Sequence, residues 1–366
     1  MRVLMISKAY VVGIYQRKLE LMAQQRGVDL TLVVPPSWKD RSGELRLERA
    51  YLDGYTMRVE PIRFNGSYHL HYYPTLPQIL RDVQPDIIHI DEEPYNFCTW
   101  HILWWAQRIV PKAKTVFFSW QNIARQYPFP FSTGEAWTLR HVNAAIMGTQ
   151  SAADVWCAKG YRGKFKVIPQ FGIDPDAFKP TDRVPNPEPV VGYIGRLVPE
   201  KGVDLLLRAL AKLHKQWRLY LVGQGPERES LERLATDLGI RERVWFAGQR
   251  PSTQMATMYP QLDVLVIPSR TRPTWKEQFG RVIVEAMACG VPVIGSDSAA
   301  IPDVIGQAGL VFPEDDVDLL TEALDRLLSS PTVRADLAAR GRRHVLENYT
   351  QSRIATLTVD MYRELL

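Results

Sequence analysis

Glu277 and Glu285, with seven residues between them in the stretch EQFGRVIVE, are the side chains of this sequence best spaced for chemistry. Gly280 falls between them where a helix should start, and AMACG runs on to a glycine stop at Gly290 before the apolar run VPVIGS. One carboxylate then sits on a loop and the other two turns along a helix, on either side of its N-terminus. Unpaired backbone N–H groups and the helix dipole favour an anion there. An ionised carboxylate accepts hydrogen bonds from hydroxyls. The combination suits a ligand with phosphate at its middle and hydroxyl-rich groups at each end, as in a nucleotide sugar.

Other candidates are scattered along the chain. Arg196 and Lys201 lie in GRLVPEKG, on the loop that follows the strand VVGYIG. Two cations there could neutralise a diphosphate, the alternative being a structural ion pair and a solvated lysine. Glu92 and Glu93 follow DIIHI and fall at a plausible cleft edge, where they could bind hydroxyls or lie solvated on a loop. Gly223 and Gly225 in LVGQGP resemble part of a dinucleotide fingerprint. Without a third glycine and a downstream acid they indicate a tight turn, so NAD is rejected. His89, His101 and His141 lack the spacing of metal ligands. With no DxD-type motif beside them, no metal and no other cofactor is expected.

These residues need a scaffold, and the hydrophobic pattern supplies one. RVLMIS, DLTLVVP, DIIHI, TVFFSW, AAIMGT and KFKVIP read as strands, with helices over 15–26, 75–83, 97–109, 134–140 and from Ala152 to Lys159 between them. Such alternation indicates a mainly parallel sheet covered on both faces. KPTDRVPNPEP at 179–189 has four prolines and no apolar period, which marks a linker. A second series follows: VVGYIG, a helix VDLLLRALAKLH, RLYLVG, a helix from Glu227, VWFAG, a helix near Ser252, DVLVIPS, the glutamate-bearing helix, PVIGS and GLVF. Helices over 317–328, 333–347 and 351–366 close the chain. The expected organisation is an N-terminal Rossmann-like domain over 1–180 and a C-terminal one over 181–349. Helix 350–366 should pack back onto the first. The facing strand ends of two open α/β sheets would form a ligand-binding cleft.

The 366 residues exceed what one core usually supports. Three cysteines, Cys98, Cys157 and Cys289, form neither a disulfide framework nor a zinc site, which fits a reducing, cytoplasmic setting. MRVLMIS reads as a strand rather than a signal peptide, and no apolar run is long enough for a membrane span. Residues 1–180 carry 22 Lys and Arg against 16 Asp and Glu, so the net charge of +5 resides in the first half. That half could meet anionic headgroups, a peripheral membrane contact, or an acidic substrate. No nucleic-acid module is present. Seven of the ten tryptophans also fall there, three of them in WHILWWAQR, where core packing is the expected role and sugar stacking or membrane insertion the alternative.

Four stretches in order, VVGYIGRLVPEKGVDLLLRAL, LYLVGQGPERESLERLA, VWFAGQRP and VLVIPS…EQFGRVIVEAMACGVPVIGSD, resemble glycosyltransferase family 4. This is a family of retaining enzymes with the GT-B architecture, two Rossmann-like domains facing across a cleft. The first half matches more loosely, through PDIIHI and VIPQFGIDPDAF. The resemblance implies a metal-independent sugar transfer of hexosyltransferase type, from a nucleotide-diphosphate sugar to a hydroxyl of a lipid-linked, polysaccharide or small-molecule acceptor. It implies that Arg196 and Lys201 hold the diphosphate, Glu277 the sugar and Glu285 the ribose hydroxyls. Phe279 and Gly280 would offer N–H groups to phosphate, with Gly195 on the same strand exit, and Arg250 would lie where relatives hold the base. Gly13 stands where relatives often have a glycine pair. Gln121-Asn122 replaces a pair that commonly begins with histidine, so Gln121 should position the donor rather than act as a base. A nucleotide-sugar epimerase on the same fold and a non-catalytic sugar-nucleotide binding protein are the alternatives.

Overall fold

The computed structural model describes residues 1–40, 43–182, 186–251 and 254–366. They form two compact units, one of Met1–Gly172 with Gln351–Leu366, the other of Ile173–Thr350. The division falls ahead of the proline-rich stretch, of which 183–185 lie outside the described residues.

The first unit runs β1 (Arg2–Ile6), α1 (Arg17–Ala23), β2 (Asp29–Val34), β3 (Ser37–Asp40), β4 (Gly43–Arg46), β5 (Thr56–Val59), α2 (Leu76–Val83), β6 (Ile87–Ile90), α3 (Phe97–Ile109), β7 (Lys114–Ser119), α4 (Phe131–His141), β8 (Ala144–Met147), α5 (Gln150–Ala158) and β9 (Lys164–Val167). Its sheet has the order β5-β2-β1-β6-β7-β8-β9, parallel throughout, while β3 and β4 pair separately as an antiparallel ribbon. Every residue of β6 and β8 is buried, as expected for strands covered on both faces. The edge strand β9, KFKV, has no buried residue.

The second unit runs β10 (Val190–Ile194), α6 (Val203–Ala211), β11 (Arg218–Val222), α7 (Arg228–Asp237), β12 (Val244–Gly248), α8 (Met255–Met258), β13 (Val264–Ile267), α9 (Arg281–Ala288), β14 (Val293–Ser296), α10 (Ile301–Ile305), β15 (Leu310–Phe312), α11 (Val317–Ser329) and α12 (Pro331–Asn348). The helix anticipated near Ser252 begins at Met255; Ser252 itself lies outside the described residues. The final helix, α13 (Gln351–Arg363), belongs to the first unit. Its Ile354, Ala355, Val359 and Tyr362 join the core around Val3 and Leu19, and the Tyr362 hydroxyl meets Nδ1 of buried His89.

The second sheet is also all parallel, in the order β12-β11-β10-β13-β14-β15. Strand order reverses between β10 and β13, and the loops leaving these two neighbours part there to opposite sides. Open α/β sheets bind ligands at such a point. Close backbone approach shapes the loops. Gly223 has φ +147°, and a Cβ on it would lie 1.8 Å from the Gly195 carbonyl oxygen; a Cβ on Gly202 (φ +64°) would lie 2.0 Å from that of Pro268. Only glycine fits either place.

Candidate functional site: the strand exits of the second unit

The loop after β10 carries Gly195 and Arg196, then turns through a short 3-10 helix, Pro199–Lys201, into α6. The loop after β13 carries Trp275 and Glu277 and ends at Gly280, which begins α9. Lys201 and Glu277 meet across these loops: Lys201 Nζ donates to Glu277 Oε2 at 2.5 Å, with both side chains largely enclosed. The ammonium also lies 4.7 Å from the centroid of the Trp275 ring, a cation–π contact that covers a further side of the charge. Arg196 differs. Its side chain is 65% exposed, and its nearest acid, Glu200, is 3.7 Å away, too loose to hold it in water.

Arg270 fixes the turn that presents Lys201. Its guanidinium forms a two-pronged pair with Asp204 at 2.6 and 2.8 Å and reaches Asp315 at 2.5 Å and the Pro199 carbonyl at 3.3 Å. Its backbone N–H donates to the Glu200 carbonyl at 2.8 Å. The exit of β13 is thereby tied to the start of α6.

Gly280 has φ +71° and gives α9 no side-chain cap. Ser and Asp side chains cap other helices of this unit, Asp316 on α11 and Ser330 on α12. Glu285 lies on α9 with only 6% of its surface exposed. It accepts the Tyr259 hydroxyl at 2.5 Å and pairs with Arg281, one turn earlier, at 2.9 Å. Burial raises the pKa of its carboxyl, an effect opposed by Arg281 and the Tyr259 hydrogen bond. Each oxygen still has acceptor capacity for a further donor. Phe279 packs edge-on to Tyr349 with ring centroids 5.6 Å apart.

The structure thus brings Lys201 and Glu277 into contact and sets Gly195, Arg196, Gly280 and Glu285 on the same strand exits or the helix that follows. Arg250 stands apart. It follows the edge strand β12 and is exposed, and among the described residues no contact links it to the others.

In the first unit the expected residues are more deeply engaged than their loop positions suggested. Glu92 is buried, not on an open edge: Lys8, His71 Nε2 at 3.1 Å and Asn96 Nδ2 at 3.2 Å share its oxygens. Burial would raise its pKa, but Lys8 and His71 outweigh it and hold the carboxyl at about 2. Glu93 accepts from Ser119 Oγ at 2.6 Å and the Trp120 N–H at 2.9 Å, and burial pushes its carboxyl up to about 7. Neither edge position is that of a solvated loop. The Gly13 N–H donates to Glu48 Oε2 at 2.6 Å, so in this structure it is occupied within the chain. Gln121 accepts from Tyr95 at 3.3 Å and donates to the Ile123 carbonyl at 2.7 Å.

Sequence reasoning missed Trp275, Arg270 and Tyr259. The i,i+4 spacing of Arg281 and Glu285 was a readable signal. Nothing in sequence placed Tyr259 or Trp275 against a charge, because Tyr259, on a short 3-10 helix, lies 26 residues from Glu285 and Trp275 sits on a different loop from Lys201.

Comparison with known proteins places the chain in a family. The family model described as Glycosyl transferases group 1 matches residues 175–344, and that described as Glycosyltransferase Family 4 matches residues 13–177. The GDP-mannose-dependent alpha-(1-6)-phosphatidylinositol monomannoside mannosyltransferase of Mycolicibacterium smegmatis is 37% identical over 194 residues, 49% of this chain and 51% of that protein. The D-inositol 3-phosphate glycosyltransferase of Stackebrandtia nassauensis is 33% identical over 251 residues, 60% of this chain and 54% of that protein. The chain thus spans about half the length of these relatives. Sucrose-phosphate synthase from Thermosynechococcus elongatus shares the fold, with a TM-score of 0.71, 23% identity, and coverage of 100% of this chain and 99% of that one. The chain belongs to glycosyltransferase family 4, and its two parallel-sheet domains are the Rossmann-like halves of the GT-B fold.

Proposed function

We propose that the protein transfers a sugar from a nucleotide-diphosphate donor, held by the second unit, to an acceptor hydroxyl presented by the first. The observation that carries this reading is the Lys201–Glu277 pair at the β10/β13 switch point, beside the helix start at Gly280. The diphosphate would lie against that helix start, where the dipole and backbone N–H groups favour an anion. Arg196, exposed and weakly paired, would swing onto it, and Lys201 would face the oxygen that gains charge as the sugar departs. Glu277 would keep Lys201 in place and accept from the sugar hydroxyls. Glu285 would accept from the ribose diol with its remaining lone pairs. Phe279 and Gly280 would line the phosphate with backbone, and Gly195 would leave room for it.

On this reading the two cations perform the neutralisation a metal would otherwise supply, and the reaction is metal-independent. A β-phosphate oxygen receives the acceptor proton as the hydroxyl attacks from the face the phosphate leaves, so configuration is retained. Gln121, fixed by Tyr95 and Ile123, positions and does not titrate. The similarity to mannosyltransferases that are GDP-mannose-dependent and act on a phosphatidylinositol mannoside supports a mannosyl donor and a lipid-linked acceptor reached at a membrane surface. No described helix is long and apolar enough to cross a membrane.

A thermal-shift panel of GDP- and UDP-sugars tests the donor, because a ligand that binds the folded state raises its melting temperature. Transfer is then assayed with the stabilising donor and a lipid and sugar acceptor panel. Glu277→Ala and Lys201→Ala should each abolish transfer in a folded protein. Full transfer by both variants refutes the assignment; sugar interconversion with donor alone would instead indicate an epimerase.

A further inference from the structure

None of the residues assigned to the donor lies on α3 or α4 of the first unit. Core packing was the expected role of the tryptophans, and Trp105 and Trp137 do pack against the core around Ile102 and Leu103, but with Trp100 and Trp104 they also line an open groove of about 550 Å3. Trp100, Trp104, Trp105, Trp137 and Phe129 face it. Trp104 is 42% exposed and Phe129 82%. Contiguous aromatic surface of this kind marks an interaction site. His101, also in the lining, does not break its apolar character at neutral pH, since burial lowers its pKa to about 4.

Charge along the stretch that builds the groove is one-sided. Residues 94–153 contain five Lys and Arg and a single carboxylate, Glu135, which is buried and paired with Lys159 at 2.6 Å. Exposed Arg108 stacks over Trp104, its guanidinium carbon 3.6 Å from the ring centroid. Exposed Arg140 and His141 end α4, with His141 stacked on Trp137 at 4.8 Å between centroids. Amphipathic rings flanked by arginine, on a stretch with no exposed acid between residues 94 and 153, match the boundary between acyl chains and anionic headgroups. A second copy of the same face would bring like charges together.

We propose that this face docks the protein on an anionic lipid bilayer, with Phe129 and Trp104 inserted at the acyl boundary and Arg108 and Arg140 on the phosphates. The inference rests on the reading of a lipid-linked acceptor at a membrane surface and names the surface that reaches it.

The test is co-sedimentation of the full chain with vesicles of phosphatidylcholine alone and of phosphatidylcholine mixed with phosphatidylglycerol. Binding should require the anionic lipid and weaken with salt. Phe129→Ser, at a site too exposed to matter for folding, and Trp104→Ser should each weaken it. Arg108→Glu and Arg140→Glu should each weaken it at least about fivefold. Donor binding, followed by thermal shift in the same variants, should not change. Three results overturn the proposal: wild-type protein ignoring anionic vesicles, variants binding as wild type does, or a dimer by light scattering that Phe129→Ser dissociates while vesicle binding persists. Wild-type protein that binds vesicles by this face but no nucleotide sugar would instead refute the donor reading.

Discussion

Replacing Lys201 by Met removes the cation 2.5 Å from Glu277 and leaves the carboxylate in a site where only 12% of it reaches water. At an effective dielectric near 20, a pair at that distance has a gross attraction of roughly 6–7 kcal/mol, much of it offset by desolvation. Breaking one partner of a buried pair costs about 3–5 kcal/mol; the residual exposure of both groups places this case at roughly 2–3 kcal/mol. For a domain of this size the melting temperature should fall by about 5–10 °C. The double variant Lys201→Met/Glu277→Gln removes the carboxylate's charge together with the ammonium and should recover most of that loss. Transfer should not recover, because the departing diphosphate still lacks its cation. Thermal melts of wild type and the two variants, with a transfer assay on each, read both effects. A Lys201→Met protein as stable as wild type, a double variant no better than the single, or wild-type turnover in the double variant would refute the reasoning.

Glu285→Gln keeps a partner for Tyr259 but loses the charged acceptor; nucleotide affinity should drop about tenfold to a hundredfold by calorimetry, the 1.5–3 kcal/mol of a charge-assisted hydrogen bond. Gly223→Ala drives a methyl towards the Gly195 carbonyl at a φ of +147°, and urea denaturation should show a loss of roughly 2–4 kcal/mol. Glu93, with its carboxyl pushed up to about 7, holds a proton in the folded protein that an unfolded chain releases near pH 4.3. That contribution is present below the unfolded value and is lost as pH rises through about 7, at most roughly 4 kcal/mol. Glu93→Gln should therefore be more destabilising relative to wild type at pH 5 than at pH 8, measured by urea denaturation at both; equal differences would refute the shift.

Much of the scaffold could be read directly. DIIHI, AAIMGT and DVLVIPS are apolar runs too short for helices, and each became a strand buried throughout or nearly so. The ribbon strands Ser37–Asp40 and Gly43–Arg46 and the edge strand Thr56–Val59 gave no such signal, since GELR is wholly exposed and TMRV has no buried residue. Apart from Trp38 on β3, which is buried in the core, these strands are held by hydrogen bonds to their partners and not by burial of their own side chains. WHILWWAQR was legible as a helix but not as a surface: its apolar residues run almost all round, so periodicity could not tell which would be covered.

Sequence by itself determined the two Rossmann-like halves, the helix start at Gly280 and the residue types at 196, 201, 277 and 285, because periodicity, capping and loop chemistry act over a few neighbouring positions. Tertiary structure alone decided that Lys201 meets Glu277 under Trp275, that Arg270 anchors the intervening turn, that Glu92 is buried against Lys8 and His71, and that an aromatic face stays open between α3 and α4. Those outcomes depend on which loops a parallel sheet brings side by side, and contacts between residues tens of positions apart are set by packing that no local pattern encodes.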